Sequence, residues 1–347
     1  MLWKALAALV ALGAALFIVA LKAHRQFDRL EPDLIGNCTP VRGIAGPEDL
    51  QVDPVGRRLF VSSFDKRATN VRRGSIHVLN VDDPLDAAGW RDRTNGRPEE
   101  FLPIGLHYYA KDEIQRLFVV NAASNAVELY DIESDGDLIH LETFTERRLK
   151  SPNDVVAIGP NDFLVTNDAS AGRSSMLGRV QFLARARVGS VLRFNGTAWS
   201  LVDDHLRFAN GIAINESGDR LYVGESAGRA VRIYQRPPGE EIFKLQDVID
   251  MPGAVENLNV ASDGRVIAAA NPKPLSMALH RRSPEALSPS LIVQLGSSIA
   301  GEGPAPIKPL FRSDGVFLSA ATAADVIGSK LFVGTLADDR FLICNGA

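Results

Sequence analysis

Short apolar runs, rich in β-branched and aromatic residues, recur along most of this chain, each entered through a turn of Gly, Asp or Asn. Six of them are alike: Arg58-Leu59-Phe60-Val61, Arg116-Leu117-Phe118-Val119, Asp162-Phe163-Leu164-Val165, Arg220-Leu221-Tyr222-Val223, Arg265-Val266-Ile267-Ala268 and Lys330-Leu331-Phe332-Val333. They stand about 45–65 residues apart, close to the period of a four-stranded propeller blade. Further strands fit between them, at Ser75–Asn80, Ala126–Ile132, 190–194 and 230–234. The runs are too short, and too often broken by Gly, Pro and Asp, to be helices. No sustained helical periodicity follows the N-terminal segment. The pattern predicts an all-β fold, a six-bladed β-propeller, in which ring closure leaves only short sheet edges exposed.

The N-terminus breaks this pattern. Lys4 precedes an apolar run over 5–21, and Lys22, His24 and Arg25 follow it. A charged start, a run about as long as a bilayer core and a polar exit predict a hydrophobic helix. Lys22 and His24 interrupt any small-residue cleavage site, so the segment reads as a retained signal anchor; a cleaved signal peptide is the open alternative. The chain divides into this segment, 1–29, and the propeller, 30–347. Either reading sends the propeller into the secretory pathway, membrane-anchored if the segment is kept and secreted or periplasmic if it is cut.

Composition adds three constraints. Hydrophobic residues make up 46% of the chain, enough for a large core. Net charge is -4 with no basic block, which excludes nucleic acid as a partner. The two cysteines, Cys38 and Cys344, lie at opposite ends of the propeller region. In an oxidising compartment they form a plausible pair, the alternative being two unrelated thiols. A closed ring would bring the segment after Cys38 against the last strand, 340–344, in one blade. Three glycan sequons, at Asn37, Asn195 and Asn215, matter only in a eukaryotic secretory pathway. The basic groups Lys66-Arg67 and Arg72-Arg73 read as a solvated loop, with a lid over the site as the other reading.

Candidate chemistry lies about ten residues upstream of the repeated strands. Glu48-Asp49, Asn153-Asp154, Asn210-Gly211 and Glu256-Asn257 occupy one position in four blades; the second blade has Ile104-Gly105-Leu106 there, and the sixth is expected near Leu318-Ser319. Inner strands line a propeller's channel, so Glu48, Asn153, Asn210, Glu256 and Asn257 converge on its axis. Mixed carboxylate and carboxamide oxygens suit calcium. Asp49 and Asp154, one residue further on, point to the other side of the strand and pair around a second, deeper cation with a backbone group of Leu106. No Cys or His cluster has zinc spacing. The Gly-x-Ser-x-Gly elbow of serine hydrolases is absent.

The stretches Gly46-Pro47-Glu48-Asp49-Leu50, Ser151-Pro152-Asn153-Asp154-Val155, Thr166-Asn167-Asp168, Phe208-Ala209-Asn210-Gly211-Ile212 and Glu256-Asn257 resemble the paraoxonase/arylesterase family, as do the N-terminal segment and the cysteine pair. The resemblance implies a six-bladed propeller with two calcium ions. It implies Glu48, Asn153, Asn210, Glu256 and Asn257 at a catalytic calcium, and Asp49, the Leu106 backbone and Asp154 at a structural one. Asp168 resembles a residue near the second of these. The implied activity is hydrolysis of lactones and aryl esters, with calcium polarising the carbonyl and stabilising the oxyanion.

The chain departs from the family in two ways. Glu256 stands where Asp is usual. Ile104, Ala122 and Asn271 stand where histidines are usual, so Glu48 is the candidate base, the alternative being a calcium ion that acidifies its own water. The odd offset of His107 aims it away from the tunnel. Phe208, Ile104 and Asn271 are the candidate pocket residues. Two other functions stay open: a non-catalytic, membrane-tethered calcium propeller serving as a binding or chaperone module, and an enzyme of gluconolactonase or strictosidine-synthase type.

Overall fold

The computed structural model describes residues 2–83, 91–172, 175–296 and 306–346. Helix α1 (Leu2–Ala23) is followed by six sheets arranged as blades. Blade one starts with Pro47–Asp53, blade two with Pro103–Lys111, blade three with Pro152–Gly159, blade four with Ala209–Ile214, blade five with Ala254–Val260 and blade six with Ala321–Ile327. In each, this first strand pairs with the next, and that second strand carries the repeated apolar run. Each first strand also packs against the first strand of the following blade, and blade six against blade one, so the ring is closed.

Position in the blade explains the sequence pattern. Second strands such as Arg58–Ser63, Asp162–Asn167 and Lys330–Thr335 are buried at every residue but the first. They lie between neighbouring blades, so both faces are apolar and the alternation of a half-exposed strand disappears. Outer strands such as Lys244–Asp250 are exposed almost throughout. Six apolar clusters fill the six seams, one between each pair of neighbours, as with Phe118, Val155, Phe163 and Leu192 between blades two and three.

The ring closes as the cysteines suggest. Asn37–Arg42 is the outer strand of blade six, paired antiparallel with Arg340–Asn345, and Cys38 lies opposite Cys344. The two are disulfide-bonded across 306 residues of chain.

Two features differ from expectation. Short helices α2 (Met176–Leu183) and α3 (Pro274–His280) interrupt blades three and five. With 8 and 7 residues each spans about two turns, too few for a periodic apolar stripe to emerge. The bulge position of blade six is Thr322, not Leu318-Ser319, because the first strand begins at Ala321. Helix α1 is apolar, packs none of its apolar stretch against the propeller core, and is long enough to cross a membrane.

A belt of polar side chains ties inner strands together near one end of the axis. Asp325 of blade six accepts from Val52 N of blade one at 2.8 Å and from Val326 N at 2.7 Å. Asn259 of blade five donates to Leu50 O and Ala324 O at 3.1 and 3.0 Å. Burial raises the Asp325 carboxyl to about 7, against the pull of its two N–H donors.

Two predictions follow from the seam and the belt. Replacing both Cys38 and Cys344 by Ala is expected to lower the unfolding free energy by about 2–5 kcal/mol, read by urea denaturation. Between about pH 4 and about pH 7 the folded state retains a proton on Asp325 that the unfolded chain has released. Its contribution is therefore favourable at the acid end and is lost as pH rises through that window. The stability difference between Asp325→Asn and the parent chain is expected to shift toward the variant as pH rises, measured by denaturation at several pH values.

Candidate functional site at the bulge end of the tunnel

In every blade the ladder between first and second strands breaks near its start; blade three alone breaks a second time, at Ile158. In blade one Pro47 faces Ser63 and Leu50 faces Val61, so Glu48 and Asp49 together oppose the single residue Ser62. The same break leaves out Ile104-Gly105, Asn153-Asp154, Asn210-Gly211, Glu256-Asn257 and, in blade six, Thr322. These are β-bulges, which bend a strand and re-aim its side chains. All four candidate pairs thus sit in bulges at one end of the ring. Where the opposing residue carries a hydroxyl, that group caps the freed backbone: Ser62 Oγ accepts from Asp49 N and Thr166 Oγ1 from Asp154 N, both at 3.0 Å.

Neighbouring bulges are linked through the carboxamides. Asn210 Nδ2 donates to Glu256 Oε2 at 3.0 Å and to Ser226 Oγ at 2.9 Å. Asn257 Nδ2 donates to Glu48 O at 3.3 Å, and Thr322 Oγ1 donates to the same oxygen at 2.7 Å. Asn153 Nδ2 donates to Asp168 Oδ2 at 3.3 Å. With each amide nitrogen committed to the frame, each carboxamide has its oxygen left for a further partner. Glu48, Asn153, Asn210 and Asn257 are buried, and Glu256 is half-buried.

The deeper carboxylates bridge blades. Asp49 accepts from Leu50 N at 2.9 Å and from Leu106 N of blade two at 2.8 Å. Asp154 accepts from Val155 N and from Ile212 N of blade four, each at 2.8 Å. Burial, then repulsion from Asp154, pushes the Asp49 carboxyl well above the usual carboxylate range. Burial pushes Asp154 up to about 8. Two buried, mutually repelling carboxylates below a ring of carboxamide and carboxylate oxygens form an all-oxygen donor set, which fits a hard divalent cation.

Two glycines make this crowding feasible. A Cβ at Gly105 would lie 2.4 Å from Asp154 Oδ1, and one at Gly211 would lie 2.3 Å from Glu256 O. Any side chain there would force the inner strands apart.

Several residues stand elsewhere than the sequence suggests. Lys66, expected on a solvated loop, has a side chain only 2% exposed, with its ammonium 2.6 Å from Glu48 Oε2 and over the Phe64 ring. Its neighbour Arg67 reaches Asp338 of blade six and His280 at the end of α3 in blade five. A cavity of about 470 Å³ opens there, lined by Ala45, Arg67, His280 and Asp338. The loop is docked because Glu48 and Asp338 are acidic partners from other elements, which adjacency in sequence does not reveal. Thr322 was missed for want of an acidic or amide side chain.

Ile104 is buried in the apolar cluster between blades two and three, and Ala122 packs against the same cluster. Asn271 is fully buried, donating to Ser288 Oγ and accepting from Lys273 N at 2.9 Å each, so it braces the turn into α3 instead of facing an open pocket. Phe208 has a left-handed backbone, φ 61°, and its ring meets Phe182 edge-on. His107 accepts from Ala157 N at 3.2 Å, and burial lowers it to about 4. It lines a cavity of about 750 Å³ at the opposite end of the axis, with Gln51 and Asp325.

Comparison with known proteins sets these observations in context. A sequence model described as arylesterase matches residues 42–345. Serum paraoxonase/lactonase 3 of Oryctolagus cuniculus is 27% identical over 346 residues, covering 94% of this chain and 96% of the relative. Serum paraoxonase/arylesterase 1 of Mus musculus is 26% identical over 356 residues, covering 95% of this chain and 98% of the relative. A gluconolactonase structure from Xanthomonas campestris matches with a TM-score of 0.52 and 15% identity, over 92% of this chain and 99% of its own. Regucalcin from Agrobacterium tumefaciens, a calcium-binding protein, gives 0.52 and 15%, over 89% and 93%. At such identity the two solved structures speak to the fold alone. The family match spans nearly the whole ring, including every bulge, and on that basis the chain belongs to the arylesterase family.

Proposed function

We propose that this chain is a calcium-dependent hydrolase of lactones or aryl esters, working at the bulge end of the tunnel. The supporting observation is that the bulges gather Glu48, Asn153, Asn210, Glu256 and Asn257 at one end of the axis. These residues would hold the catalytic calcium. Asp49 and Asp154, with the Leu106 carbonyl, would hold a second ion. The names of the curated relatives, lactonase and arylesterase, support the reaction class.

A bound calcium supplies Lewis-acid polarisation of an ester carbonyl. The chain's own residues do the rest. Glu48 is the base: it takes a proton as water adds to the carbonyl carbon, then returns it to the departing alkoxide as the C–O bond breaks. The products are a carboxylic acid and an alcohol, joined in one molecule if the substrate is a lactone. Lys66, 2.6 Å from Glu48, holds that carboxylate in place, and Asn210 fixes Glu256. Phe208 contributes apolar wall. Helix α1 anchors the propeller, 30–347, to a membrane, with the ring on the secretory side.

Ile104 and Ala122, apolar where the family's histidines are usual, favour a second reading: a non-catalytic calcium propeller. One experiment separates the two. Hydrolysis of a lactone panel and of phenyl acetate is measured with and without full chelation, alongside calcium titration calorimetry. The enzyme reading expects turnover that chelation abolishes, and a loss of about 10²-fold or more in kcat/KM for Glu48→Gln. Activity that survives calcium removal overturns it. Calcium-dependent thermal stabilisation without turnover on any ester selects the second reading.

A further inference from the structure

The residue leaving α1 is not solvated. His24 is fully buried, stacked on the Phe182 ring of α2 with centroids 4.8 Å apart and planes 13° from parallel. Its Nε2 lies 3.2 Å from Phe182 O. An imidazole immediately after an exposed apolar helix, buried against a ring of another element, is a docking contact.

The contact continues inward. Phe182 meets Phe208 edge-on, with centroids 4.9 Å apart. Phe208 O accepts from Ser226 N at 3.0 Å, and Ser226 Oγ accepts from Asn210 Nδ2 at 2.9 Å. The turn that carries Ser226 is tied to the end of α2 a second time: Arg185 Nε donates to Ala227 O at 2.6 Å and its Nη2 to Gly228 O at 3.1 Å. Phe208 holds a left-handed φ of 61°, a conformation that a bulky residue keeps only where its surroundings enforce it. Those surroundings are the Phe182 ring on one side and the Ser226 turn on the other.

We propose that His24 is a positioning residue for the candidate site, acting through Phe182 and Phe208 to fix the pocket wall and Asn210. The exit of the N-terminal helix is then a structural part of the site as well as a tether. The kinetic consequence rests on the hydrolase reading above, but the structural one does not.

The test uses the full chain with His24→Ala, His24→Phe and Phe182→Leu. His24→Phe keeps a stacked ring without the imidazole nitrogens. Phe182→Leu interrupts the same path away from the helix exit, in case His24→Ala fails to fold. Amide hydrogen exchange is followed over 176–183 and 206–212, and kcat and KM are measured on lactones of increasing acyl length. For His24→Ala and Phe182→Leu, the expected results are exchange about tenfold faster in both segments and a KM raised several-fold with kcat nearly unchanged, the loss of about one aromatic contact. His24→Phe should restore both. Unchanged exchange over 206–212 in His24→Ala and Phe182→Leu, or no rescue by His24→Phe, overturns the proposal. If no variant and no parent chain hydrolyses any lactone or phenyl acetate, the hydrolase reading fails while the exchange result still decides this one.

Discussion

At the centre of this ring, first strands from six blades approach until backbone touches side chain, with room for no Cβ at Gly105 or Gly211. That proximity forces each inner ladder to break, and the break frees two backbone positions in five blades and one in the sixth. The residues in those breaks are the chemically interesting ones. Closure of the ring and assembly of the site are therefore one structural event. Polar groups at the axis are satisfied by neighbouring blades as well as by their own, as Asp49 with Leu106, Asp154 with Ile212 and Asp325 with Val52 illustrate.

Such an arrangement trades stability against readiness. Three carboxyls raised above their usual range, at Asp49, Asp154 and Asp325, mean that burial of charge is costly at the axis. Hydrophobic seams offset that cost. Residues such as Phe60, Phe118, Phe163 and Phe332 are fully buried, each contributing on the order of 1.5–3 kcal/mol. The seams between blades carry the stability, and the axis carries the cost of buried charge.

Much of this was legible in the residues. The repeated Arg-Leu-Phe-Val-like runs stand on second strands because only a strand buried on both faces is apolar throughout. The cysteine placement marked the closing seam. The pairs Glu48-Asp49, Asn153-Asp154, Asn210-Gly211 and Glu256-Asn257 were visible because they recur at a fixed offset from those strands. Lys66 was not, because its buried position is set by Glu48, a partner on another strand. Nor was Thr322, whose blade lacks one residue of the bulge and an acidic label. The short helices, and the docking of His24 on one of them, leave no periodic trace in the sequence.

Among the described residues, the outer strand of blade six, Asn37–Arg42, leaves the ribosome before the other strands of the ring, while its partner Arg340–Asn345 is the last of them to emerge. During synthesis the five complete blades can form in order, but the sixth must wait. Until then the nascent chain is an open arc with a waiting edge and a reduced Cys38. Closure thus waits for the last strand of the ring, and oxidation of the thiols records that it has occurred.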